Sequence, residues 1–235
     1  MRVLVTRPRP AAERTAARLS AMGHEAVILP LMQAQHLAGA ARAALSEPHQ
    51  AIAVTSGEAV RVLGALGPAL EPHLATPLFA VGEATARAAG DLGFTDIRIG
   101  PGTGEGLAET VAALLPPGET LVYLAGSPRT DGFERALHQR RIEHRTAECY
   151  RMAPVHYPAE TLPGLLRAGP FDAVMLYSRE SARRLDAALR ESGLEPADLA
   201  SRFLCLSWPI RETLPDGLPC GVAAVPDEEN LLRLL

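Results

Sequence analysis

The order of this chain predicts an α/β fold of two similar lobes, each built on a parallel sheet, and three observations predict it. Short apolar runs alternate with helix-like stretches from one end to the other. Hydrophobic residues reach 47% while aromatics make up only 4%, so the cores must be assembled from Ala, Leu and Val, which suits helices packed on buried parallel strands. The order of elements also repeats: Ile52–Ser56 matches Val174–Ser178, Phe79–Gly82 matches Leu204–Ser207, and Leu107–Leu115 matches Asn230–Leu235. At 235 residues the chain is long enough for two cores.

Val3 to Thr6 forms a strand stopped by Arg7-Pro8; the Ala-, Leu- and Arg-rich stretch Ala11 to Met22 forms a helix closed by Gly23. Ala26 to Leu29 reads as a second buried strand, ending at Pro30. A helix over Ala38 to Leu45 leads to the strand Ala51 to Thr55, and the next helix starts at Glu58 behind Ser56, a natural N-cap. Leu78 to Val81 is a strand, Gly82 its turn, and Glu83 to Leu92 a helix ended by Gly93. Ile97 to Ile99, the loop Gly100 to Gly106 and a helix to Leu115 follow, then the strand Leu121 to Leu124, the loop Gly126 to Arg129 and the helix Phe133 to Arg140. Strands at Phe171 to Ser178, Phe203 to Ser207 and Val222 to Val225 carry the last third, with helices over Glu180 to Glu191, after Ser207, and from Glu228.

Two extended segments divide the lobes. Leu31 to Gln35 follows Pro30, and Thr146 to Pro154 is β-prone and ends at a proline. The predicted organisation is a discontinuous lobe of residues 1–30 and 155–235, an inserted lobe of residues 36–145, and linker strands at 31–35 and 146–154. Two contiguous domains are the alternative. Two thin connections predict hinge motion, with Tyr150 at the mouth of a cleft.

Composition removes several functions. The net charge of −4 leaves no basic footprint for nucleic acid or an anionic membrane. All 23 basic residues are arginine, which excludes a Schiff-base lysine and the lysine of a P-loop. Three cysteines without a close pair, and seven histidines without metal spacing, predict neither a disulfide framework nor a metal site. With no apolar run of about 18 residues and no export signal, the expected location is the cytoplasm. The loop Gly100 to Gly106 has glycines at the wrong offsets for a dinucleotide fingerprint, and no Gly-x-Ser-x-Gly elbow occurs.

Ligands of open parallel sheets bind beyond the carboxyl ends of the strands, where turns and helix N-termini present N–H groups. Thr6, Ser56, Gly82, Gly126, Ser178 and Ser207 all occupy such positions. Taken singly, capping accounts for each Ser and Thr, and Tyr150 reads as a strand aromatic.

Several short motifs in order add a family resemblance. Val3 to Pro8 (Val-Leu-Val-Thr-Arg-Pro), Val54 to Val60 with its Thr-Ser and Ala-Val, Val81 to Ala86 (Val-Gly-Glu-Ala-Thr-Ala) and Cys149-Tyr150-Arg151 together resemble uroporphyrinogen-III synthase over nearly the full length. The resemblance implies two flavodoxin-like lobes joined by a two-stranded linker, and an enzyme that closes hydroxymethylbilane, inverts its last ring through a spiro intermediate and releases water without a cofactor. It implies Tyr150 as catalytic proton donor and Thr85, Ser56 and Ser178 as polar contacts; Thr6, Gly82, Gly126 and Ser207 offer further donors, and Arg7, Arg129 and Arg179 lie on loops where they can meet substrate carboxylates. A monomer in transient contact with the upstream deaminase is expected. One departure is Ser207-Trp208-Pro209-Ile210-Arg211, where the family commonly has Gly-Pro-x-Thr, which removes a hydroxyl and a backbone donor. Two rival readings stand beside this one: a noncatalytic two-lobed small-molecule-binding protein, which twin α/β lobes with crossing strands also suit, and an inactive family member acting as an interaction partner, which the altered loop sustains.

Overall fold

The computed structural model describes residues 1–235. Its strands are β1 (Arg2–Val5), β2 (Glu25–Ile28), β3 (Met32–His36), β4 (Ala51–Val54), β5 (Leu78–Ala80), β6 (Ile97–Ile99), β7 (Leu121–Ser127), β8 (His144–Pro154), β9 (Ala173–Leu176), β10 (Phe203–Cys205) and β11 (Cys220–Val222). They form two separate sheets, in the orders β11-β10-β9-β1-β2 and β3-β8-β7-β4-β5-β6. The chain divides into two compact units, Met1–Gln33 with Ala153–Leu235, and Ala34–Met152.

The first unit carries the five-stranded sheet, parallel throughout. Numbered within the unit its order is 2-1-3-4-5, the doubly wound arrangement of flavodoxin-like folds. Its inner strands are fully apolar where they cross the middle: Val3, Leu4, Val5 and Ala173 to Leu176 have no exposed surface. One face packs Leu4, Val174 and Leu176 with Phe171, Leu185 and Phe203; the other packs Val3, Val5 and Met175 with Leu19 and Leu231. Burying a side chain of this size contributes about 1.5–3 kcal/mol. That sum is what keeps helices on both faces of a sheet with so few aromatic residues.

The second unit repeats the plan with a different chain order. From β8 to β6 its strands are also parallel, in the order β8-β7-β4-β5-β6. Here β7 and β8 occupy the places that β1 and β2 hold in the first unit, so the strands that come first there come last here. β3 adds an edge beside β8. The segment expected only as a return linker is therefore also an inner strand, because residues 144–151 pair with β7.

Local chemistry sets the helix starts. Ser56, Thr103, Ser178 and Asp227 each accept a backbone N–H three residues on, at 3.3, 3.1, 3.1 and 2.8 Å, satisfying amides that a helix N-terminus otherwise leaves open. Gly23 and Gly193 follow helix ends with φ of 79° and 68°, a region that non-glycine residues rarely adopt. The expected helices begin within a few residues of their predicted starts. Three short helices carry no strong periodic signal and were not anticipated: Gly67–His73, Thr161–Leu166 and Pro196–Leu199. No helix is long and apolar enough to cross a membrane.

Candidate functional site

In the second unit, the carboxyl ends of β4, β5, β7 and the adjoining part of β8 bring several of the expected residues together. Strand alternation decides which face each one takes. Ile52 and Val54 of β4 and Val122 and Leu124 of β7 line one core; Ala51, Ala53, Leu121 and Tyr123 line the other. Continuing those periods past β4 sends Thr55 and Ser56 to opposite faces. Each meets a phenol there: Thr55 Oγ1 lies 2.8 Å from the Tyr123 hydroxyl, and Ser56 Oγ lies 2.9 Å from the Tyr150 hydroxyl.

Tyr150 reaches Ser56 from two strands away. β8 and β4 flank β7, and strands are about 4.8 Å apart, so the ring must lie across β7. It does so over Gly126. The pairing of β7 with β8 slips at this point, from Ala125 opposite Glu148 to Gly126 opposite Tyr150, which leaves Cys149 as an extra residue. Such a bulge re-aims the side chains that follow it. Cys149 itself is buried in the core, and its thiol is pushed up to about 12 by burial, so it is a packing group and not a nucleophile.

Burial raises the Tyr150 phenol above its ordinary value of 10, and the bond to Ser56 opposes part of that rise. Ser56 has two contacts to satisfy. Its oxygen accepts the Ala59 N–H, and either hydroxyl can donate in the bond to Tyr150; with Ser56 as the donor, the phenolic proton is free to be donated outward. Nearby, Glu58 lies in the first turn of the helix Gly57–Gly64 and holds His36 at 2.6 Å as well as Arg61. Burial raises the Glu58 carboxyl, but those two partners together hold it below its usual value.

Gly82 is the N-cap residue of the helix Glu83–Asp91, with extended backbone, and accepts from the Thr85 and Ala86 amides. Thr85 lies one turn in and is 7% exposed. Arg129 is not an open carboxylate receptor. Its guanidinium donates to Glu134 at 2.8 and 3.1 Å and to the Gly126 carbonyl at 3.3 Å, and Thr146 donates to the same Glu134 at 2.9 Å.

The first unit places Thr6, Arg7, Ser178 and Ser207 at the carboxyl ends of β1, β9 and β10. Thr6 is fully buried and donates to the Met175 carbonyl at 2.8 Å, so its hydroxyl fastens β1 to β9. Arg7 stacks 4.2 Å over the Tyr177 ring and donates to Glu228 at 2.8 Å. Glu228 also receives Arg18 at 3.1 Å and the Thr15 hydroxyl. Burial raises this carboxyl, but Thr15, Arg7 and Arg18 together outweigh it and hold it below the usual range. Here too the expected receptor arginine is already engaged by an internal acid.

Ser178 caps the helix Arg179–Glu191 and donates to Ser181 Oγ at 2.9 Å; Arg179, its first residue, is exposed. Ser207 stands at the N-cap of the short helix Trp208–Arg211, with no side-chain cap bond. Trp208 is 68% exposed and leaves core packing there to Ile210. Tyr123, Thr55, Tyr177 and Glu228 were missed by sequence reasoning. Alternation along β4 and β7 is the signal that pairs Thr55 with Tyr123; nothing local pairs residues 7 and 228.

A family model described as "Uroporphyrinogen-III synthase HemD" matches residues 13–233. The fold is similar to the crystal structure of uroporphyrinogen-III synthetase from Helicobacter pylori, at TM-score 0.64 and 18% identity, covering 100% of this chain and 98% of that one. It is also similar to a mutant uroporphyrinogen III synthase from Thermus thermophilus, at TM-score 0.53 and 23% identity, covering 98% and 94%. No curated protein matches in sequence.

Proposed function

The chain belongs to the uroporphyrinogen-III synthase family, and from that premise we propose that it acts as a cofactor-independent hydro-lyase with Tyr150 as the proton donor. Its substrate in this reading is hydroxymethylbilane, and its product the ring-inverted macrocycle uroporphyrinogen III. The observation that carries the assignment is the pairing of Tyr150 with Ser56 at 2.9 Å, which holds a half-buried phenol at the carboxyl rim of a parallel sheet.

The chemistry asks for such a group. Loss of the hydroxymethyl oxygen as water breaks a C–O bond, and a proton delivered to that oxygen lowers the barrier. A phenol kept above its ordinary value by burial stays protonated at neutral pH. The phenolate left behind regains a proton as the pyrrole rings rearomatise, so the donor is restored without a cofactor. Because the linear substrate also closes unaided to the symmetric isomer, positioning and water exclusion carry the choice of product.

The carboxylates of the substrate are met, in this proposal, by backbone N–H groups and hydroxyls at the helix starts behind Ser56 and Gly82, with Thr85 beside them; Ser178 and Ser207 offer donors of the same kind within the first unit. Arg7 and Arg129 act one step removed, since internal acids already engage them. We further propose a cytoplasmic monomer that receives its labile substrate from an upstream deaminase; three free thiols suit a reducing compartment.

The test supplies the purified protein with freshly generated hydroxymethylbilane, oxidises the products and separates uroporphyrin isomers I and III by chromatography. A protein-dependent excess of isomer III is the expected result. Isomer I alone, at the rate seen without protein, would overturn the assignment.

A further inference from the structure

We propose that Gly126 is a positioning residue for the reaction, holding the Tyr150 phenol on Ser56 by having no side chain. The proposal deepens the assignment of Tyr150 as proton donor and rests on it. A Cβ built at position 126 would overlap Cζ and the hydroxyl of Tyr150 and would stand 2.6 Å from Cε2. Real Cβ atoms do not approach so closely, and the obstacle is the middle of a ring held at both ends. One end is the bulged backbone of β8; the other is the Ser56 hydroxyl. The backbone at Gly126 is not in the left-handed region. Alanine is therefore excluded at this position by the ring alone.

The backbone beneath the ring is itself fastened. Arg129 returns to the Gly126 carbonyl at 3.3 Å, and the same guanidinium is gripped by Glu134 at 2.8 and 3.1 Å. Thr146 of β8 holds Glu134 at 2.9 Å. Arg129 and Glu134 thus tie the end of β7 to β8, the strand that supplies the tyrosine. The ion pair is a brace for the phenol's seat, which is a different role from meeting a substrate carboxylate.

A double-variant cycle tests this. In the otherwise natural protein, Gly126→Ala is expected to lower kcat by roughly a hundredfold, the scale of losing a general acid, with KM moving less. The unfolding midpoint falls as well. Ultraviolet titration assigns Tyr150 by its absence in Tyr150→Phe; its pKa, raised by burial in the natural protein, is expected to move down toward 10 in Gly126→Ala as the ring is expelled toward water.

In a Tyr150→Ala background, which empties the ring's space, adding Gly126→Ala is expected to cause no fall in the unfolding midpoint. Natural kcat in Gly126→Ala overturns the proposal. So does an alanine at 126 that destabilises the Tyr150→Ala protein as much as the natural one. If Gly126→Ala alone does not fold, recovery of folding in the double variant supports the proposal, and continued failure overturns it. The unfolding cycle needs no substrate, so it reads the seat even if Tyr150→Phe proves fully active and the proton-donor assignment fails.

Discussion

Replacing Tyr150 with phenylalanine removes one atom from the proposed site and keeps the ring that Gly126 accommodates. In the folded state the lost contact is the 2.9 Å bond to Ser56 Oγ. A neutral hydrogen bond of this kind contributes about 0.5–1.5 kcal/mol net, and Ser56 keeps its cap on the Ala59 amide, so stability should fall by about 1 kcal/mol. The effect on the reaction is larger. General acid catalysis contributes about 10²–10⁴ in rate, and a hundredfold loss is about 2.7 kcal/mol of barrier.

Single-turnover mixing with freshly generated hydroxymethylbilane, followed by oxidation and isomer separation, gives rate and product together. Isomer I will accumulate in the variant, because unaided closure competes with a slowed enzyme. Raising the variant's concentration should restore isomer III, since the intact ring still shapes the site. An unchanged turnover rate would remove Tyr150 from the acid role. Isomer I that increases with variant concentration would refute the separation between proton delivery and path selection.

Other perturbations test the electrostatic and packing arguments. Buried Cys149 and Cys205, whose thiols are each pushed up to about 12 by burial, should resist a thiol reagent at pH 8 in the native protein, with only the partly exposed Cys220 reacting; modification of three thiols before unfolding would contradict the cores described. Glu228→Gln should lower stability by about 1.5–3 kcal/mol, the range for hydrogen bonds to charged groups, measured by urea titration. Because Glu228 titrates below its ordinary 4.5 in the folded state, its contribution is present above that value and is lost as pH falls through the depressed one; a difference between the two proteins that does not shrink as pH is lowered would refute it. Burial raises Tyr123, Tyr150, Tyr157 and Tyr177 above 10. Their contribution is complete below pH 10 and fades as pH rises through the raised values, so tyrosinate absorbance in the native protein should lag that of the unfolded chain, and coincident curves would refute the burial.

Much of the fold was legible because its rules are local. Apolar runs such as Ala51 to Val54 mark buried strands, Ser56 and Ser178 mark helix starts, and Gly23 and Gly193 mark helix ends, each decided by a few neighbouring residues. Where local signals were weak, as in Thr161–Leu166, elements were missed. The candidate site was legible as a set of residues and not as an arrangement. Arg7 and Arg129 looked free because their partners, Glu228 and Glu134, become partners only through packing.

By itself the sequence determined two α/β units, the positions of their capping residues and membership of a family whose motifs are short and ordered. Only the tertiary structure decided that β7 and β8 take in the second unit the places that β1 and β2 take in the first. It alone decided that Gly126 serves as the floor of a tyrosine ring, and that Tyr150 meets Ser56 across 94 positions of chain. The physical reason is range. Propensity, capping and periodicity act over one turn or one strand, whereas strand order and the slip at Cys149 are set by which distant surfaces bury each other best.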